Sequence, residues 1–110
     1  GVASPDVWSV PTATGQAGAY SVIVEKYLAA GSGYARRWDD VAKVPSLYSA
    51  EAKHWITYED PQSMRLKGEY IAAQKLGGAM FWELSNDNGE LLDALRAGLG
   101  TPGPALTSRR

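Results

Sequence analysis

Apolar residues recur at helical spacing near the start of the chain and predict a helix over residues 20–28. Ser21 is the predicted N-cap and Gly31 the C-terminal stop. The β-branched residues 22–24 also fit a strand, so both interpretations remain open at this point. The apolar face consists of Tyr20, Ile23, Val24, Tyr27 and Leu28.

Three short, aromatic-rich segments follow, separated by polar links. They are residues 34–38, 44–48 and 53–58. Short apolar runs between turn residues are typical of strands, so this region is predicted to form a small antiparallel meander. Pro45 lacks the amide hydrogen that a sheet ladder uses, and we expect it in an edge strand.

A second helix is predicted over residues 61–75. Asp60 is a suitable N-cap, and Pro61 takes the first helical position, where its missing donor costs little. The Gly77–Gly78 pair ends the helix. Gly68 in its interior costs about 1 kcal/mol relative to alanine, which indicates that the helix backbone packs closely on a neighbour. One stripe of this helix holds Met64, Gly68, Ile71 and Lys75.

A compact apolar run at residues 78–84 lies between two helical patterns, which is typical of a buried parallel strand. A last helix is predicted over residues 87–99, with Asp87 as its N-cap and Glu90 three residues on. Its apolar face holds Leu91, Leu92 and Leu95. This part of the chain is therefore predicted to form a helix, a strand and a helix.

The two ends of the chain lack periodicity. Residues 1–18 contain proline and glycine among small residues and predict an irregular N-terminal loop. Residues 101–110 are rich in proline, glycine and serine, and predict a linker toward further sequence.

Composition excludes several classes of function. Lysine and arginine (11) nearly balance aspartate and glutamate (12), so no strong field would attract nucleic acid or an anionic membrane. With no cysteine and one histidine, a thiolate or histidine-rich metal site is not expected. No apolar run approaches the roughly 20 residues that cross a bilayer, and the first residues carry no signal pattern. We expect a water-soluble chain of one small domain or one fragment, with any export signal upstream.

Trp82 is the main candidate for chemistry. A strand that ends in a large flat ring beside polar groups presents them where α/β folds place their sites, and an indole can stack on a sugar ring. The alternative is that Trp82 is an ordinary core residue. Strand alternation places Met80 on the face of Trp82 and Glu83 on the opposite face, so Glu83 is expected to support the site.

The other acidic residues have structural explanations. Glu83 and Asp87 could form the carboxylate couple that glycosidases use, but the N-cap role already accounts for Asp87. The pairs at residues 39–40 and 59–60 lie where turns and helix starts need acceptors. His54 has no serine, cysteine or second histidine to work with, and is expected at the surface.

Three blocks taken together resemble the C-terminal part of family 18 glycoside hydrolases, the bacterial chitinases and their relatives. They are GYARRWDDVAKVPSLY at residues 33–48, ITYEDPQSMRLK at residues 56–67 and LGGAMFWELSND at residues 76–87. Their order and spacing make the resemblance specific over residues 8–99.

The resemblance implies an α/β (α+β) fold: a fragment of a (β/α)₈ TIM barrel that carries a small α+β chitinase insertion subdomain. Residues 1–57 then hold the N-terminal loop and most of the insertion, which walls one side of the substrate cleft. Residues 58–99 hold the last helix, strand and helix of the barrel, and residues 100–110 the linker. A complete barrel needs about 250 residues, so this chain supplies about a third of one.

The family cleaves β-1,4 links between N-acetylglucosamine units with one glutamate as general acid, while the substrate's acetamido oxygen attacks the anomeric carbon. That glutamate ends an Asp-x-x-Asp-x-Asp-x-Glu motif, which does not occur in this sequence. The resemblance therefore implies no catalytic residue here, substrate binding by Trp82 and Met80 with Glu83 in support, and no cofactor or metal. It also implies a secreted bacterial parent protein whose ligand is chitin or N-acetylglucosamine oligomers.

Two other hypotheses stay open. The chain could belong to a non-catalytic chitin- or peptidoglycan-binding relative of the same fold. It could also be an independent structural domain that covers its apolar strand by self-association, since a lone strand leaves two unpaired edges.

Overall fold

The computed structural model describes residues 15–100, so most of the predicted N-terminal loop and the predicted linker at residues 101–110 lie outside the described residues. The chain divides into two compact units, Gly1–Glu59 and Asp60–Arg110. In the first unit the elements are α1 (Tyr20–Lys26), β1 (Ala35–Asp39), β2 (Val44–Ser49) and β3 (His54–Thr57). In the second they are α2 (Pro61–Ala73), a short 3₁₀ helix (Leu84–Asn86) and α3 (Glu90–Leu99).

The three strands form the predicted antiparallel meander, in the order β1-β2-β3. The α1 helix is also as predicted, so residues 22–24 are helical and not a strand. Its N-cap is Ala19, which makes no side-chain cap, and Tyr20 is already helical. The prediction of Ser21 as N-cap is therefore wrong by two positions, because the helix begins before the residue best suited to cap it.

Pro45 does not lie in an edge strand, as its missing amide hydrogen had predicted, but in the central strand β2. It is fully buried and pairs with Trp38 of β1. The pairing of β2 with β3 starts only at Ser46. Since Pro45 precedes this ladder, the proline has no neighbour on the β3 side that would need its amide hydrogen.

The core of the first unit lies between α1 and one face of the sheet. Ile23 and Tyr27 of α1 pack with Leu47 of β2 and Ile56 of β3, and all four are buried. Leu47 and Ile56 are register partners, so their side chains project from the same face. Alternation along β2 then directs Val44, Ser46 and Tyr48 to the other face of the sheet.

In the second unit α2 starts where the sequence predicts. The Asp60 carboxylate accepts a hydrogen bond from the Ser63 amide at 2.9 Å, and the Ser63 hydroxyl accepts one from the Asp60 amide at 3.0 Å. Both residues are buried. This reciprocal capping box satisfies donors that would otherwise be left without partners at the helix start.

Substituting alanine for Asp60 is expected to destabilise the chain by about 1–2 kcal/mol, because the buried Ser63 amide loses its acceptor. Asparagine retains an acceptor oxygen and is as good an N-cap, so Asp60→Asn is the matched control and should lose less than half as much. Urea unfolding of the three proteins measures the difference. Equal stabilities for wild type and Asp60→Ala would contradict the assigned role.

The close approach predicted for Gly68 is confirmed. A Cβ atom at Gly68 would lie 2.6 Å from the Leu95 carbonyl oxygen and 2.9 Å from the Gly98 Cα atom, both in α3. A Cβ atom at Gly98 would overlap the Arg65 carbonyl oxygen in the same way. The two glycines thus let the backbones of α2 and α3 touch.

The α3 helix begins at Glu90 and its N-cap is Gly89, with φ of 102° and no side-chain cap. Asp87 is therefore not the N-cap residue that the sequence predicted. Its carboxylate nevertheless reaches the first turn and accepts hydrogen bonds from the amides of Leu91 (3.2 Å) and Leu92 (3.0 Å). The Asp87 carboxylate thus caps the helix as predicted, but from a position two residues before the N-cap residue Gly89.

The predicted buried strand at residues 78–84 is wrong in this structure. Residues 78–83 belong to no strand or helix, and Leu84 starts the 3₁₀ helix. Met80 and Trp82 are 84% and 86% exposed, respectively. A strand needs neighbours for its amides and carbonyls, and none pairs with this segment among the described residues. The self-association expected from the edges of that strand remains a prediction.

Candidate functional site

The candidate site is the segment of residues 77–87, which connects α2 to the start of α3. It contains all three residues that the sequence predicted to bind substrate: Met80, Trp82 and Glu83. The segment is exposed along almost its whole length. An exposed run of large apolar side chains beside polar groups is a candidate interaction surface.

Trp82 presents a nearly free indole ring to solvent, and Met80 lies two residues before it with a similar exposure. A free indole face can cover the apolar face of a pyranose ring, while the indole N–H stays available to an oxygen. The peptide bond between Trp82 and Glu83 is cis. Because no strand forms here, the predicted alternation of Trp82 and Glu83 does not follow from strand geometry.

Glu83 organises the turn after Trp82. Its carboxylate accepts a hydrogen bond from the Ser85 hydroxyl at 2.5 Å, and its carbonyl oxygen accepts one from the Asn86 amide at 3.1 Å. Asp87 instead bonds the first turn of α3. Glu83 and Asp87 therefore hold different partners, and each carboxylate has a local structural task.

The other acidic residues act as the sequence predicted. The Asp39 carboxylate accepts hydrogen bonds from the amides of Val41 and Ala42 at 2.9 and 2.8 Å in the β1–β2 turn. Asp40 forms an ion pair with Lys43 at 2.7 Å, and its hydrogen bond and attraction to that ammonium group lower the pKa of the Asp40 carboxyl. These groups shape a turn and are not arranged as an acid and a base.

One polar cluster was not predicted. The Tyr34 hydroxyl and His54 Nδ1 lie 2.8 Å apart, and the Tyr27 ring packs edge-on against Tyr34 with centroids 5.0 Å apart. Burial raises the pKa of the Tyr34 hydroxyl. His54 is thus half-buried in an aromatic cluster and not simply a surface residue, and it pairs with the buried Ser49 in the sheet register.

Within residues 15–100, no three histidine, cysteine, aspartate or glutamate side chains gather where they could bind a metal ion. Over the same residues, none of the helices combines the length and the apolar character that crossing a bilayer requires.

The sequence model of the glycosyl hydrolases family 18 matches residues 4–87, which is more than half of the chain. The chain belongs to this family. Chitinase A1 of Niallia circulans is 52% identical over 73 residues, which cover 66% of this chain and 10% of that protein. Chitinase B of Serratia marcescens is 46% identical over 74 residues, covering 66% of this chain and 15% of that protein.

Solved structures of chitinases are also similar to this chain. Chitinase ChiW from Paenibacillus sp. str. FPU-7 has a TM-score of 0.68 and 41% identity over 74% of this chain and 10% of that chain. The chitinase RmChi1 from Rhizomucor miehei has a TM-score of 0.66 and 34% identity over 73% of this chain and 22% of that chain. The family 18 chain is therefore an α+β portion of a TIM-barrel enzyme, and it spans 10–15% of the curated relatives named above.

Proposed function

We propose that this family 18 chain forms part of the substrate cleft of a chitinase, which cleaves β-1,4 links between N-acetylglucosamine units with the substrate's acetamido group as nucleophile. The first unit is the insertion subdomain, and the second is the last part of the barrel. The boundary between the compact units falls after Glu59, near the boundary predicted after residue 57, which supports this layout. Chitin is an insoluble polymer, so the enzyme acts outside the cell.

Trp82 carries the proposal. Its ring is exposed and apolar, and Glu83, the next residue in the chain, accepts a hydrogen bond from the Ser85 hydroxyl. Covering about half of an indole's roughly 200 Å², at about 25 cal/mol per Å², contributes about 2–3 kcal/mol. That is enough to hold one sugar ring at a defined position, which is what cleavage at a single bond requires.

The general acid lies outside these 110 residues. The acid motif of the family is absent from the sequence. The carboxylates near Trp82 are also engaged locally, since Glu83 bonds Ser85 and Asp87 bonds the start of α3. A general acid must instead reach the leaving oxygen of the substrate. This chain therefore positions the sugar, and another part of the protein protonates it.

The 110-residue chain alone is expected to show no hydrolysis of chitotetraose, because nothing in it supplies the acid. Reducing-end release over a day, compared with a complete family 18 chitinase, measures this. A complete protein that contains these residues should turn the same substrate over. Turnover by the pure 110-residue chain would place an acid within it, and an inactive complete protein that still binds the sugar would identify a non-catalytic chitin-binding relative.

A further inference from the structure

The turn that leads into α3 contains the dipeptide Asn88–Gly89. Neither residue belongs to a helix or strand, since the short 3₁₀ helix ends at Asn86 and α3 begins at Glu90. Asn88 is exposed, and no atom lies within 4 Å of a Cβ atom built at Gly89. Water therefore reaches both residues of the dipeptide.

The fold needs a glycine at position 89. Gly89 is the N-cap residue of α3, and its φ of 102° lies in the left-handed region that residues with a Cβ atom rarely adopt. A side chain here would shield the backbone nitrogen of residue 89 from the side chain before it, but it would strain the start of α3. The conformation that starts the helix thus leaves the Gly89 nitrogen without steric protection.

The Asn88 side chain is folded toward the residues that follow it. Its Oδ1 atom accepts a hydrogen bond from the Glu90 amide at 3.1 Å. This oxygen gains negative charge when a nucleophile adds to the side-chain carbonyl carbon, so the Glu90 donor stabilises the addition. Within residues 15–100, no backbone hydrogen bond uses the Gly89 amide. A free nitrogen therefore follows an activated carbonyl carbon in the chain.

We propose that Asn88 is a site of spontaneous deamidation. The Gly89 nitrogen gives up its proton and bonds to the side-chain carbonyl carbon of Asn88. The bond from this carbon to the side-chain nitrogen breaks, and ammonia leaves with the proton. Water then opens the succinimide ring, at the side-chain carbonyl to give aspartate or at the main-chain carbonyl to give isoaspartate. The net reaction consumes one water molecule, releases one ammonia and needs no oxidant or reductant.

The only other asparagine of the chain, Asn86, provides an internal comparison. Asn86 is also exposed, but the residue after it is Asp87, whose amide donates a hydrogen bond to the Leu84 carbonyl oxygen at 3.2 Å. The Asp87 nitrogen must break this bond before it can attack, and the Asp87 side chain crowds its approach. Deamidation is therefore selective for Asn88.

The two products affect the start of α3 differently. Aspartate at position 88 retains an acceptor oxygen for the Glu90 amide, and its negative charge lies near the positive end of the helix dipole. Isoaspartate inserts one more carbon atom into the main chain between Asp87 and α3. The Asp87 carboxylate then no longer matches the amides of the first turn, to which it is bonded in this structure. Isoaspartate thus detaches the segment of residues 77–87 from α3, whether or not Trp82 binds a sugar.

The test follows deamidation of the folded 110-residue chain in a mildly alkaline buffer. Digestion with a protease that is active at acidic pH, followed by mass spectrometry, measures the reaction at each asparagine, and an isoaspartyl methyltransferase detects isoaspartate. Asn88 is expected to react at least about tenfold faster than Asn86, which needs a barrier difference of about 1.4 kcal/mol. Asn88→Gln is the matched control and should lack the fast reaction, because glutamine has to close a larger ring.

Incubation in urea separates the effect of the fold from that of the sequence, because an Asn–Gly dipeptide also reacts in an unfolded chain. The rate at Asn88 in the folded chain is expected to stay within about tenfold of the rate in urea. A slower reaction in the folded chain would show that the fold protects Asn88, and would overturn the proposal. Equal rates at Asn86 and Asn88 would also overturn it.

The effect on α3 has its own measurement. Hydrogen exchange at the amides of Leu91 and Leu92 is expected to be at least about tenfold faster in the purified isoaspartate product than in Asn88→Asp. The variant carries the same charge on an unaltered main chain. Equal exchange rates in the two proteins would show that the inserted carbon leaves the Asp87 cap in place, and would overturn the predicted detachment.

Discussion

Substituting alanine for Gly68 is expected to destabilise the α2–α3 pair by about 2 kcal/mol. The new Cβ atom would lie 2.6 Å from the Leu95 carbonyl oxygen, and backbone atoms cannot rotate away as a flexible side chain can. Overpacking of this kind costs about 1–3 kcal/mol, occasionally more, whereas alanine gains back about 1 kcal/mol in helix propensity. We therefore take the upper part of the overpacking range. Urea unfolding followed by far-UV circular dichroism measures the loss.

Gly77→Ala is the matched control, because no atom lies within 4 Å of a Cβ atom built at Gly77. Its stability should stay within about 0.5 kcal/mol of wild type. If Gly68→Ala were as stable as Gly77→Ala, the helices would not be in backbone contact. A gain in stability from Gly68→Ala would mean that helix propensity outweighs packing at this position.

Substituting alanine for Trp82 in a complete chitinase that contains these residues is expected to lower kcat/KM about 50-fold. The stacking surface of the indole contributes about 2–3 kcal/mol, and a loss of 1.36 kcal/mol corresponds to a factor of ten in rate. Initial rates with chitotetraose over a range of concentrations give kcat and KM separately. A larger change in KM than in kcat would show that Trp82 binds substrate and transition state alike.

Two further variants make this result specific. Trp82→Phe retains an aromatic face and should recover most of the lost kcat/KM. Val41→Ala changes a side chain that is 95% exposed in the β1–β2 turn, and its kinetics should match wild type. Unchanged kinetics in Trp82→Ala would remove this residue from the cleft, and equal losses in Trp82→Ala and Trp82→Phe would argue against stacking.

Elements with local signals were predictable from the sequence. The Asp60–Pro61 start of α2 and the turns of the meander depend on hydrogen bonds within four residues, so the chain encodes them without reference to the rest of the fold. Pro45 was misplaced because an edge is a property of the whole sheet. The segment at residues 78–84 was misplaced for the same reason, since a strand exists only where a neighbour pairs with it.

Only part of what the structure shows around the candidate residues could be predicted from the sequence. The sequence singled out Trp82 through its position in an apolar run followed by polar residues, and the structure shows that its ring is exposed. The row of Arg37, Ser46 and Thr57 across the sheet was not predicted, because these residues are far apart in sequence and meet only through the strand register. Gly68 revealed that a close neighbour exists, but only the structure identifies α3 as that neighbour.

The contact between Gly68 and Gly98 has a consequence for the segment that carries Trp82. Because α2 and α3 touch through their backbones, the two helices that flank residues 77–87 form one rigid support, and the exposed segment is anchored on both sides. Trp82 lies in the middle of this segment, between the two anchored ends. Under the proposed function, this anchoring would hold the point at which the indole meets the sugar at a fixed distance from both helices.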